Sequence, residues 1–303
     1  METNDLQSVA MNRRELSKRV LAGAGLGTLA SWNGTPGFAS EENSPKLSFG
    51  VVTDVHYAAI PPKKLRHYDQ SLPKLQQAVT TFQKRNLDFI IELGDFIDAD
   101  PEKLRDAEYL KSAREVFESF PGPRYYVLGN HCVWILGKEK FLTGCGLERS
   151  WYSFECGSYH GVVLDACFTQ DGLPYKPENF DWKDSWIPEE ELRWLADDLA
   201  KAKGRTALVF VHQNLHDETR PCGIKNAPAV RRVLQDAGNV MAVFQGHDHP
   251  GAYARIGGIH YITMRGLIEG SELESTAFGI VTIPGPGQMR IEGFGKQPNL
   301  ILE

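Results

Sequence analysis

Residues 89–98 read FIIELGDFID, and residues 47–56 upstream read LSFGVVTDVH. Each is a short apolar run that halts on acidic or imidazole groups, and residues 125–131, YYVLGNH, repeat the arrangement. Apolar runs of this length, bounded by Gly or Asp, have the character of strands buried on both faces. The intervals between them are helical in pattern. Leu72, Leu75, Val79 and Phe82 form one stripe, and Leu110, Ala113, Val116 and Phe117 another. The order is β-α-β-α-β, which implies parallel strands joined by right-handed crossovers. In such sheets the ligand crevice lies beyond the carboxyl ends of the strands, and that is where the polar clusters fall.

Further along, buried-type runs at 161–164, 207–211 and 241–244 predict three more strands. A helix is expected over 188–203, because it opens with Pro188 and three glutamates and stops at Gly204. Beyond Gly246 the pattern turns to strands at 252–256, 260–264, 277–283 and 288–292, expected as antiparallel strands that complete a second sheet. No linker-like stretch or repeat interrupts residues 45–303, so one α/β domain is the simplest organisation.

The chain has 303 residues, 42% hydrophobic and 24% charged, which suits a globular protein with a substantial core. A formal charge of −6 argues against a nucleic acid polymer as partner, because sequence-independent binding of that kind needs a strongly basic face. The five cysteines show no C-x-x-C pair and read as scattered thiols, at least one of them unpaired.

The chemistry gathers in five clusters: Asp54-x-His56, Gly94-Asp95-x-x-Asp98, Gly129-Asn130-His131, Val211-His212 and Gly246-His247-Asp248-His249. Five of the nine histidines sit in them, and each cluster follows closely on an apolar run. One such cluster would pass as a surface group or a satisfied core group. Five in series point to one shared site. Imidazole, carboxylate and amide donors without thiolate suit Mn, Fe or Zn rather than a structural zinc site rich in cysteine. Gly94, Gly129 and Gly246 are expected to let the backbone bend sharply as each strand delivers its ligand.

These clusters resemble the five motifs of the calcineurin-like metallophosphoesterases, and the resemblance spans residues 47–295. It implies a two-sheet α/β/β/α sandwich with two divalent or trivalent transition-metal ions. One would be held by Asp54, His56, Asp95 and His249, the other by Asp95, Asn130, His212 and His247, with Asp95 bridging. It also implies hydrolysis of a phosphoester or phosphoanhydride in a small phosphorylated substrate, by in-line attack of a metal-activated water. His131 would face the leaving-group oxygen, with Asp98 as its partner, although Asp98 also suits a plain turn cap. A phosphomonoesterase of the same fold, or a silent domain that only binds a phosphorylated ligand, are the alternative readings.

Residues 49–54 (FGVVTD), Arg66-His67-Tyr68, Ser71-Leu72, 191–195 (ELRWL), 266–269 (GLIE) and 277–279 (AFG) are similar to the branch of manganese-dependent ADP-ribose/CDP-alcohol diphosphatases. That branch cleaves the pyrophosphate bond of nucleotide conjugates. Members with that activity carry Gln where His56 stands, and an acid where this chain has Cys132. For substrate contact, the aromatics Phe168, Tyr175, Phe180, Trp182 and Trp186 either rim the crevice or pin a loop to the core. Lys225 and Asn226 precede a helix expected over 227–235. They either hold a phosphate at its N-terminus or, for Asn226, simply cap it.

Residues 11–40 carry Arg13-Arg14 and Lys18-Arg19, then an apolar run at 20–30, then Gly37-Phe38-Ala39-Ser40. The three regions have the form of an export signal, with the apolar run well short of the ~20 residues that span a bilayer. Paired arginines before a Gly-rich core resemble a twin-arginine signal cleaved after Ala39. The expectation is a protein exported, periplasmic or extracellular, through the twin-arginine machinery and without a membrane anchor.

Overall fold

The computed structural model describes residues 47–303 apart from Pro101, Lys103, Ile135 and Pro286. The expected export signal at 1–39 lies outside the described residues. The chain begins with β1 (Leu47–Val52), α1 (Ser71–Gln83), β2 (Phe89–Glu92), α2 (Asp106–Phe117) and β3 (Arg124–Tyr126). β1, β2 and β3 pair in parallel, as the opening pattern requires. Two short helices follow, α3 (Asn130–Trp134) and α4 (Lys138–Cys145).

The second sheet is built from β4 (Tyr152–Cys156), β5 (Tyr159–Val163), then α5 (Glu189–Lys201), β6 (Thr206–Phe210), α6 (Ala227–Ala237), β7 (Val240–Gln245), β8 (Ala252–Ile256) and β9 (Ile259–Thr263). Its order is β4-β5-β6-β7-β9-β8, with β5, β6, β7 and β9 parallel and an antiparallel strand at each edge. Three strands remain: β10 (Ala277–Gly285), β11 (Gln288–Gly295) and β12 (Leu300–Leu302). They do not complete this sheet. They return to the first one, whose order is β12-β11-β10-β1-β2-β3, with β10 antiparallel to β1. The reason is burial on both faces. Val281 and Ile283 of β10 point between the sheets while Phe278 and Ile280 point at the helices, which an interior place beside β1 satisfies.

The alternation of side chains along each strand produces three apolar layers. Phe49, Val51, Phe89 and Ile91 of the first sheet meet Leu208, Phe210, Phe244 and Ile262 of the second. Val52 and Ile90 turn outward under α1, α2, α3 and α4, whose contacts include Leu75, Phe82, Phe117, Cys132 and Phe141. Val209 and Val243 turn outward under α5 and α6, against Leu195, Leu199, Val230 and Leu234. The result is the α/β/β/α sandwich. Strands β4 and β12 and helices α3 and α4 were not predicted, being short runs without clear periodicity. All five cysteines are free thiols, and Cys156 alone is not fully buried.

The sheets are joined mainly by aromatic rings. Phe49 stacks on Phe89 at 4.7 Å and meets Phe244 edge-on at 5.4 Å, while Phe210 stacks on Phe244 at 5.6 Å. Phe210→Ala should remove that contact and leave a cavity, costing about 3–5 kcal/mol. Urea denaturation read by circular dichroism checks it, with Ile301→Ala, at 73% exposure, expected to change stability by under ~0.5 kcal/mol.

Candidate metal centre

All five clusters arrive at one edge of the sandwich, two or three residues past the ends of β1, β2, β6 and β7 and at the start of α3. Asp54, His56 and His249 bring ligand atoms within 4.8 Å of one another, and so do Asp95, His212 and His247. The two groups meet at Asp95. Its Oδ2 lies 3.1 Å from His212 Nε2 and 3.6 Å from His56 Nε2, while its Oδ1 accepts the His131 backbone N–H at 2.8 Å. One carboxylate oxygen thus faces both groups.

The backbone does the aiming. Six non-glycine residues have positive φ among the described residues, and four of them are Asp54, His56, Asp95 and His247. Asp and His tolerate this region better than most residues, yet each instance costs on the order of 1–3 kcal/mol. The sharp bends expected of the glycines fall largely on the ligands themselves. Gly94 does have φ of +100°. Gly129 does not, and it is needed for space, since a Cβ there would lie 1.9 Å from Asp95 N. Gly246 is crowded in the same way, against Thr53.

The donor atoms fit two metal ions. His212 Nδ1 donates to the Leu93 carbonyl at 2.8 Å, His249 Nδ1 to Glu269 Oε1 at 2.6 Å, and His56 Nδ1 to Asp98 Oδ2 at 3.1 Å. With each Nδ1 proton engaged, the lone pair sits on Nε2, the tautomer a metal requires. His56 Nε2 and His249 Nε2 then face each other across 3.2 Å, with Asp54 Oδ1 3.3 Å from the latter. Two lone pairs and a carboxylate oxygen at that spacing repel unless a proton or a metal cation joins them; without a metal, burial is overcome by Asp54 and Glu269, which raise His249 to about 9. Asp54 Oδ1, both side-chain polar atoms of Asn130, His212 Nε2 and His247 Nε2 are also buried without a hydrogen-bond partner. Each such atom would otherwise cost about 1–3 kcal/mol.

Charge within the site is balanced by proximity. Burial opposes ionisation of Asp54, but His249, His56 and His212 outweigh it and hold the carboxyl well below the usual carboxylate range. Burial and the neighbouring His212 press His247 down to about 3, which keeps it neutral and able to ligate.

Asp98 does more than cap a turn. Its Oδ1 accepts from His131 Nδ1 at 2.9 Å and its Oδ2 from His56 Nδ1, so it orients the expected acid and one expected ligand together. Burial pulls the His131 imidazole down, and Asp98 and Asp95 more than offset it, leaving a net upward shift. With Nδ1 engaged, Nε2 is the nitrogen available to the cleft, which His131 lines.

That cleft holds about 920 Å³. Asp95, His131, His247 and His249 line its floor, and its walls carry Lys63, Lys64, Arg66 and Arg220 with Trp134, Phe180 and Trp182. Trp134 and Phe180 stack at 5.4 Å, and Phe180 also meets His131 edge-on at 6.4 Å. Of the five aromatics in the 168–186 segment, Phe180 and Trp182 rim the cleft, whereas Tyr175 and Phe168 are buried packing groups and Trp186 bonds to Asp184. Lys225 and Asn226 are not brought to it. Lys225 donates to the Arg220 carbonyl, and the Asn226 amide is spent on both backbone groups of Ile187. Sequence reasoning gave no role to Glu269, Arg66 or Trp134. Glu269 and Arg66 stood only in the stretches similar to the diphosphatase branch, and Trp134 carried no signal beyond its place after His131.

Residues 47–251 match the family model for calcineurin-like phosphoesterases, and the chain belongs to that family. It is a metal-dependent phosphohydrolase. Among its relatives, the manganese-dependent ADP-ribose/CDP-alcohol diphosphatase of Oryza sativa subsp. japonica is 29% identical over 301 residues, covering 84% of this chain and 93% of that protein. The protein of the same name from Arabidopsis thaliana is 26% identical over 276 residues, covering 76% and 89%. A dimetal phosphatase from Danio rerio shares the fold, with a TM-score of 0.72 at 23% identity over 84% of this chain and 98% of that one.

Because Asp95 is the one group facing both sets of donors, Asp95→Asn should lower bound metal from two ions per chain to below one. His247→Ala should leave close to one. Metal analysis after gel filtration in Mn²⁺ distinguishes the two, and two tightly held ions in Asp95→Asn would contradict the bridging geometry.

Proposed function

We propose that the protein hydrolyses the pyrophosphate bond of nucleotide diphosphate conjugates, with Mn²⁺ as the working metal. The observation that carries this reading is the pairing of a two-group donor floor centred on Asp95 with a cleft whose walls are both cationic and aromatic. A phosphomonoester needs the floor alone. A nucleotide conjugate adds a second phosphate for cationic side chains and a base for an aromatic face. Arg220 is engaged by Asp248, whereas Lys63 and Lys64 are exposed at the cleft mouth and Arg66 approaches the floor, 3.9 Å from Asp98. The diphosphatases named above support the same substrate class and the same metal.

On this reading Asp54, His56, Asp95 and His249 would hold one ion, and Asp95, Asn130, His212 and His247 the other. Bound there, the ions would supply a nucleophilic water at neutral pH and offset charge on the phosphoryl group. The chain's own residues do the rest. Asp98 fixes the His131 ring so that Nε2 is presented to the leaving oxygen, and it supports the protonated form that donates there. Phe180, against the same ring, keeps one side of it dry.

With Mn²⁺ present, kcat/KM for ADP-ribose or a CDP-alcohol is expected to exceed that for simple phosphomonoesters by about 10² or more, since a second phosphate and a base are bound. In the same assays, His131→Ala should lose about 10²–10⁴ in rate on diesters with an alkoxide leaving group and far less with a nitrophenolate. A strong preference for monoesters would overturn the substrate reading. Equal losses for both leaving groups would overturn proton donation.

We further propose that the protein is exported through the twin-arginine route, on the strength of Arg13-Arg14 and the weakly apolar run that follows. No helix among the described residues is long and apolar enough to cross a membrane. Arg13→Lys together with Arg14→Lys should leave unprocessed protein in the cytoplasm of a host with that machinery. Normal recovery outside the cytoplasm would exclude the route.

A further inference from the structure

Lys74 is the one lysine on the inner face of α1, and its side chain is fully buried. Its ammonium has no carboxylate partner among the described residues; instead it points at four consecutive carbonyls. Nζ lies 3.2 Å from Leu267 O, 3.4 Å from Ile268 O, 3.2 Å from Glu269 O and 2.6 Å from Gly270 O. Three N–H donors shared among four acceptors hold that turn in one conformation. Burial, then Lys296, lowers the Lys74 pKa to about 8, against a raising effect of Glu269, so the ammonium persists at neutral pH.

The segment that Lys74 gathers, with Gly266 before it, bonds to the backbone of two expected ligands, His249 and Asp54, and of Thr53 beside the latter. Gly266 N donates to His249 O at 3.1 Å, Leu267 N to Thr53 O at 3.1 Å, and Ile268 N to Asp54 O at 3.0 Å. Its side chain Glu269 then accepts from His249 Nδ1 at 2.6 Å. A buried charge placed on four carbonyls, with no carboxylate at ion-pair distance among the described residues, is an expensive way to stabilise a loop. It is well suited to fixing the direction of one carboxylate.

We propose that Lys74 is a positioning residue that sets the affinity of the Asp54/His249 half of the centre by holding Glu269 against His249. The inference rests on reading Asp54 and His249 as metal ligands. An outer partner of a ligating histidine is worth about 10–100-fold in metal affinity. Lys74 acts through that partner, so the two effects should not multiply.

The test is Mn²⁺ binding to the full chain by titration calorimetry, in wild type, Lys74→Met, Glu269→Gln and the double variant, each checked for folding by circular dichroism. Lys74→Met should weaken one of the two ions by about tenfold or more and spare the other. The double variant should match Glu269→Gln within about twofold, the signature of one shared route. Should Lys74→Met fail to fold, Lys74→Gln, whose amide still donates to the turn, is read in the same cycle with a smaller loss. A folding role alone would lower thermal stability and leave both affinities unchanged, which overturns the proposal. Multiplying losses in the double variant overturn it too. His249→Ala binding both ions as wild type would instead overturn the ligand assignment, a separate failure.

Discussion

One carboxylate oxygen, Asp95 Oδ2, faces donors that arrive on different sheets, and most of the architecture follows from that requirement. Asp95 comes from the end of β2 in the first sheet and His212 from the end of β6 in the second. They are 3.1 Å apart only because the carboxyl ends of both sheets open on the same edge. The spacing of the sheets, and hence of the donors, is set by the Phe49, Phe89, Phe210 and Phe244 rings between them. Interiors packed to crystal-like density transmit small changes of shape, so this aromatic layer is also part of the site.

Tautomer control is distributed over the fold. His212 is fixed by a backbone carbonyl beyond β2, His249 by Glu269 in the loop after β9, and His56 by Asp98 in the loop after β2. Each imidazole therefore depends on an element other than its own. Left-handed backbone at four of the seven expected ligands adds strain that only such over-determined surroundings can sustain.

The cleft above the floor is assembled differently. Its cations and aromatics come from loops around residues 63–66, 180–182 and 220 and from Trp134 at the end of α3, which no strand end specifies. This is the usual division in an α/β enzyme: reacting groups ride on the ends of rigid strands, and substrate contacts ride on loops that vary freely. A chain with a formal charge of −6 still sets four cationic side chains on these walls, alongside the carboxylates of Asp95, Asp248 and Glu269, because local placement rather than net charge governs what a cleft attracts.

The sequence by itself determined the parallel β-α-β-α-β opening, ten of the twelve strands and the full set of motif residues. Those signals are local. A buried strand must be apolar, a ligand must follow it, and both facts are written within ten residues. What only the tertiary structure decided are relations between distant segments. The return of β10 to the side of β1 depends on which sheet has room for a strand apolar on both faces. The irrelevance of Asn226 follows from Ile187 lying beside it, 39 residues away in sequence. The pairing of Glu269 with His249, and of Lys74 with the turn that carries Glu269, joins residues 20 and nearly 200 positions apart. No periodicity or spacing encodes such pairs, because hydrogen bonds between loops are fixed by the packing of the layers that hold them.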